Sequence, residues 1–235
     1  MNQGTDLHLP LPSGESTTAR VWGPDRSAAQ LGIVFVSGVN GGYEQPADML
    51  YERFAAEYGA AGVPSIHVRY RYPGYLEQSV QDGEAAANYL RQRGVRRMAV
   101  VGWSFGGAVA VHLGVRVPEV ATVVTLSAQS RDTEVLHWFH GKSILVVHSR
   151  ADENVPFYAA EQILEQVPSS SAREWYWLDD HDHLLDGASD LIDPVFRNWI
   201  RRKLFLGETV RLQPADRALV PDRHDELPLV MDQRP

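Results

Sequence analysis

The chain has 235 residues, 44% of them hydrophobic and 22% charged, with a formal net charge of −8 and no cysteine. That length buries enough surface for one globular domain without staples, and the missing cysteines exclude disulfides, thiolate metal sites and a thiol nucleophile. The acidic balance, with no long basic run, argues against nucleic acid or an anionic membrane as the main partner.

The opening residues carry no basic segment leading into an apolar one, and no apolar run is long enough to span a bilayer. A cytoplasmic protein is therefore expected. "TDLHLPLPSGESTTARVWGPD" alternates around a Ser-Gly turn and predicts an antiparallel hairpin at one sheet edge. "LGIVFVSG" is a β-rich run ending in small residues, and the glycine-rich "SGVNGG" follows it directly. "PADMLYERFAAEYGAAG" then predicts a helix from Pro46 to Gly62, with Met49, Leu50, Phe54 and Tyr58 at three-to-four spacing.

The alternation repeats. "PSIHVRY" reads as strand and "SVQDGEAAANYLRQRG" as helix, followed by "RRMAVVG" and "FGGAVAVHLGVRVP". Next come the strands "VATVVTLS" and "SILVVHS", a helix near Phe157 to Val167, the strand "REWYWLD", and a helix from about Ala188 to Lys203. Continuous apolar strands separated by helices indicate an α/β fold with a mostly parallel sheet covered on both faces. Residues 1–206 are expected to form this single domain. Residues 207–235, rich in Pro, Asp and Arg, are expected to form an extended or disordered tail. The alternative for that tail is an arm that packs its "LPLV" on its own body or on a second copy of the chain.

The chemistry centres on "GWSFG", Gly102 to Gly106, which fits the G-x-S-x-G turn that lifts a serine to the C-terminal edge of a sheet. A β-rich run precedes it and a small-residue helix follows, which is the context that turn requires. A serine hydroxyl is a weak nucleophile and needs a base, itself oriented by a carboxylate. "HSRADENVP" offers Asp152, with Glu153 beside it, in the loop after a strand. "DDHDHLL" offers His183 and His181 after the last strand. Leu184 and Leu185 would anchor His183, whereas His181 lies among acids and suits a solvated role.

Two backbone N–H groups should bind an oxyanion: Phe105, the residue after the serine, and Val39 in "SGVNGG". Too little chain separates "VVTLS" from "SILVV" to hold a large cap, so the site should be open. Trp138 lies in that connection, and Tyr72 and Tyr75 lie in "RYRYPGY". With Trp103, these are candidate substrate contacts. The chemistry needs no cofactor, and the His-Asp-His run lacks the spacing of a zinc site.

"SGVNGG", "YRYPGY", "GWSFGGAVA", "HSRADENVP" and "DDHDHLL" occur in the order seen in the α/β-hydrolase superfamily. The chain most resembles its compact dienelactone-hydrolase-like and serine-hydrolase branches, over roughly residues 31–204. Asp152 follows Ser104 by 48 residues and His183 follows Asp152 by 31, which also resembles the compact members. The resemblance implies Ser104 as nucleophile, Asp152 as acid, His183 as base, and Val39 and Phe105 as oxyanion donors. It further implies acyl transfer to water from a small-molecule ester or thioester.

There are departures. Ser37-Gly38 stands where His-Gly is usual, Trp103 where His is common, and a serine where dienelactone hydrolases proper use cysteine. An acyltransferase or peptidase on the same fold, or a non-catalytic binder, are the competing readings.

Overall fold

In the computed structural model, which describes residues 4–206, the strand Leu31–Val36 (β3) is buried along its whole length. Its alternate side chains enter two different cores. Val34 and Val36 pack with Val80, Leu90, Val109 and Leu113 on one face of the sheet. Ile33 and Phe35 pack with Phe54, Phe196 and Trp199 on the other. A strand covered on both faces has no polar side to show, which is why it reads as an unbroken apolar run.

Seven further strands complete the sheet: Thr5–Pro10 (β1), Ser16–Trp22 (β2), Ser65–Val68 (β4), Arg97–Trp103 (β5), Val120–Leu126 (β6), Ser143–Ser149 (β7) and Ala172–Leu178 (β8). Their spatial order is β1-β2-β4-β3-β5-β6-β7-β8. β1 and β2 form the expected antiparallel hairpin, and β2 joins β4 antiparallel. All pairings from β4 through β8 are parallel. The helices are Leu50–Ala60 (α1), Leu76–Gln92 (α2), Phe105–Arg116 (α3), Tyr158–Gln166 (α4) and Ser189–Ile200 (α5), with a π-helical turn at Arg201–Phe205. This is an α/β-hydrolase fold. Between β6 and β7 there is only a 3-10 turn, Glu134–Trp138, so no cap covers the C-terminal edge of β5.

The helix expected from Pro46 starts four residues later. Ala47, Asp48 and Met49 have φ of 50°, 54° and 65°, three consecutive left-handed residues without a glycine. Each costs about 1–2 kcal/mol against the right-handed form. Tertiary hydrogen bonds hold them there. The Arg53 guanidinium donates to Ala47 O and Asp48 O, both at 2.8 Å, and the Ala47 N–H donates to Leu184 O at 2.8 Å.

Among the described residues, no helix is long and apolar enough to cross a membrane. The expectations for residues 207–235 lie outside the described residues.

Candidate active site

β5 ends at Trp103 and α3 begins at Phe105, leaving Ser104 alone to reverse the chain. It does so with φ 56° and ψ −122°, a conformation that L-residues avoid at a cost of about 1–3 kcal/mol. The flanking glycines permit it. A Cβ at Gly102 would lie 2.0 Å from Gly106 O, and one at Gly106 would lie 2.4 Å from Ser37 O. The head of α3 is thus pressed against the loop that follows β3, which neighbours β5 with Val36 level with Gly102.

Two other loops leave the same edge, after β7 and after β8. They carry Asp152 and His183 to the serine. His183 Nε2 is 2.9 Å from Ser104 Oγ, and His183 Nδ1 is 2.8 Å from Asp152 Oδ2 and 3.0 Å from Oδ1. The proton positions follow from obligate donors. Asp152 Oδ1 already accepts the N–H groups of Asn154 at 2.9 Å and Val155 at 2.8 Å, so the carboxylate acts as acceptor. Nδ1 of His183 therefore carries the ring proton, and Nε2 is left to accept from the Ser104 hydroxyl.

Burial alone would push the Asp152 carboxyl up. The hydrogen bonds from His183, Val155 and Asn154 outweigh it and hold the carboxyl below its ordinary value. His181 stays apart: its N–H donates to Ser149 Oγ at 3.1 Å, and its ring does not meet Asp152. Glu153 is exposed.

Of the two expected oxyanion donors, Phe105 directly follows the serine and Val39 lies in the loop after β3, the loop against which the head of α3 is packed. The Phe105 N–H opens α3 and, as the first amide of the helix, has no intrahelical acceptor. Val39 is exposed in the loop after β3, where Gly41 N–H donates to Gly38 O and Ser37 Oγ to Gly42 O. Two groups that the sequence reading missed fix this loop. Buried His67, from β4, lies 2.8 Å through Nε2 from Ser37 Oγ, and the Tyr70 hydroxyl donates to Ser37 O at 2.8 Å. Burial depresses the His67 pKa to about 3, so its imidazole is neutral. A histidine inside the apolar run "PSIHVRY" was the available signal.

A third missed group, His148, is fully buried in β7. Its Nε2 donates to Val155 O at 3.0 Å and bolsters the Asp152 loop. Burial pushes its pKa down as well.

The four candidate substrate contacts fare differently. Tyr75 is exposed on the loop after β4 at this edge. Trp138 is exposed but stands away from the serine: it ends the 3-10 turn beside Phe139, which packs on Gly114 near the far end of α3, so the structure does not place it as a substrate contact. Tyr72 turns away, its hydroxyl bonded to Glu15 of the β1–β2 turn at 2.7 Å, in a cluster with Arg71. Trp103 is buried rather than open to a ligand, and its indole N–H donates to His183 O at 2.9 Å. Because side chains alternate along β5, Trp103 points into the core beneath the histidine when Ser104 reverses the chain.

At the opposite edge of the sheet lies a polar cavity of about 420 Å³ lined by Arg96, Arg97, Glu119, His140 and Lys142. Lys142 there donates to Gly114 O and Val117 O, carbonyls at the end of α3.

An open parallel sheet, a serine on a strained turn and a His-Asp pair behind it define an α/β-hydrolase of the esterase class. The dienelactone hydrolase family model matches residues 23–176, and the chain belongs to that family. No protein of curated function matches it in sequence.

Solved structures align over most of their length. The esterase domain of a Rhodothermus marinus protein is 20% identical with a TM-score of 0.66, covering 86% of this chain and 99% of that one. A serine hydrolase without a lid from Xanthomonas campestris is 18% identical with a TM-score of 0.65, covering 87% and 96%. A dienelactone hydrolase from Anabaena variabilis is 15% identical with a TM-score of 0.70, covering 86% and 98%. At these identities they establish the shared fold.

Proposed function

We propose that the chain hydrolyses a small-molecule carboxylic ester or thioester, with Ser104 as nucleophile, His183 as general base and acid, and Asp152 as the carboxylate that orients it. The observation that carries this reading is the unbroken chain of hydrogen bonds Ser104 Oγ–His183–Asp152 at the head of α3. Ser104 Oγ bonds to the carbonyl carbon as its proton passes to His183 Nε2, and the carbonyl oxygen becomes an oxyanion. The N–H groups of Val39 and Phe105 stabilise that charge. The intermediate collapses by breaking the bond to the leaving oxygen or sulfur, which takes the proton from Nε2.

Water then attacks the acyl-serine. His183 takes its proton, the acid departs, and the proton returns to Ser104. Asp152 stays ionised throughout. Tyr75 borders the acyl or leaving group at an uncapped site. Support for an ester over an amide comes from the family and from the esterases that share the fold.

The test is a fluorophosphonate probe followed by peptide mass spectrometry. Stoichiometric labelling at Ser104, lost in Ser104→Ala together with turnover of a p-nitrophenyl ester, is the expected result. A label elsewhere, or turnover that survives Ser104→Ala, would rule the reading out.

A further inference from the structure

The catalytic geometry depends on where the main chain of the base loop lies, because His183 must face Ser104 and Asp152 at once. Two successive carbonyls of that loop are held by hydrogen bonds: Leu184 O by the Ala47 N–H at 2.8 Å, and His183 O by the Trp103 indole at 2.9 Å. Trp103 is joined covalently to the nucleophile, and its ring lies 5.2 Å, centroid to centroid, from the His183 ring. It also underlies the oxyanion loop. A Cβ at Gly38, next to Val39, would fall 2.6 Å from Trp103 Cζ3 and 2.8 Å from Cε3. A single buried side chain therefore touches the base loop and the oxyanion loop while following the path of the nucleophile turn.

We propose that Trp103 is a positioning residue. Its indole N–H fixes His183 through the backbone carbonyl, and its ring sets the height of the Gly38–Val39 segment, so base, oxyanion donor and nucleophile keep one register. The proposal rests on the reading of Ser104, His183 and Asp152 as the catalytic triad. Tryptophan suits the task because its donor sits at the end of a rigid plane with only two side-chain torsions. The fit to Gly38 leaves that plane little room to tilt. A histidine or phenylalanine at this position is smaller than the indole, and phenylalanine has no donor at all.

The discriminating variant is Trp103→3-benzothienylalanine, which exchanges the N–H for sulfur and keeps the ring's size. The structure predicts a kcat lower by about 10-fold to 100-fold, since a misplaced catalytic group costs that much, with KM within about twofold. The low-field proton resonance of His183 Nδ1–H, bridged to Asp152, should broaden in the same variant as the imidazole gains freedom. Trp103→Phe, which loses both donor and width, should fall further in kcat.

A benzothienyl variant with unaltered kcat and an unaltered resonance would overturn the proposal, and so would a loss expressed only in KM. Absence of both fluorophosphonate labelling and ester turnover in the unaltered protein would be a different failure. It would remove the triad reading itself, and this proposal with it.

Discussion

At the scale of single residues, the state of the site is set by which atoms are forced to donate. Asp152 Oδ1 faces two main-chain N–H groups that can do nothing else, so any residue at 152 must present an acceptor there. In Asp152→Asn the amide oxygen would take that place and turn the amide NH2 toward His183 Nδ1. The ring would then keep its proton on Nε2 and could not accept one from Ser104 Oγ. The expected result is a kcat lower by about 10³-fold to 10⁴-fold with little change in KM and a folded, near-wild-type circular dichroism spectrum. Steady-state kinetics on a p-nitrophenyl ester check it. Activity within 10-fold of the unaltered enzyme would mean that the carboxylate does not set the tautomer. The same accounting fixes the Ser37 hydroxyl: it gives its proton to Gly42 O and receives one from His67 of the neighbouring strand.

At the scale of elements, the left-handed turn at Ala47–Met49 joins the loop after β3 to α1 and reaches across to the loop that carries His183 through Ala47 and Leu184. Arg53 holds it, donating to two of its carbonyls and pairing with Asp193 of α5. Arg53→Met would release both carbonyls and leave the turn free to relax toward right-handed geometry. A loss of about 1–2 kcal/mol is expected, modest because the guanidinium is about one-third exposed, with faster hydrogen exchange at the Ala47 amide. Urea midpoints and exchange rates measure the two effects; an Ala47 amide as protected as before would show that the turn does not depend on Arg53. This turn also marks the limit of what could be read from the sequence. The strand–helix alternation was legible because β3, β5, β6 and β7 are buried on both faces and their apolar runs are unbroken. The meeting of Ser104, Asp152 and His183 was legible because each follows a strand in a fixed order, with glycines marking the elbow. The start of α1 was not, since "PADM" has ordinary helical spacing and its left-handed form is imposed by Arg53 and Leu184, the latter far along the chain. Nor were the orientations of Tyr72 and Trp103, because an aromatic near a site reads alike whether it faces a ligand, Glu15 or the main chain of the base loop.

At the scale of the whole molecule, the sheet keeps two imidazoles, His67 and His148, out of water beneath the catalytic edge, and both are depressed by burial. Their function as neutral hydrogen-bonding groups ties stability to pH. His67 titrates near 3 when folded and near 6.5 when unfolded, so unfolding takes up a proton anywhere between. Its contribution is fully present above pH 6.5 and is lost progressively as pH falls toward 3. Depressed carboxylates such as Asp152 and Glu174 act with the same sign, but only as pH approaches the unfolded carboxylate range of about 4. Between about pH 6.5 and 4.5 the buried histidines are therefore the groups that destabilise as pH falls, opposed by Glu84 and Asp82, whose carboxyls burial pushes up. There the free energy of unfolding should fall by up to about 1.4 kcal/mol per pH unit for each fully depressed site. His67→Gln keeps a donor for Ser37 Oγ and removes the titration. Urea denaturation at pH 7, 6 and 5 should show the variant with a slope shallower by nearly one proton than the unaltered protein, whatever its stability at pH 7. Equal slopes would place the acid sensitivity elsewhere. A shallower slope with lower activity at every pH would show that the shape of the imidazole, and not only its donor, supports the loop after β3 through Ser37.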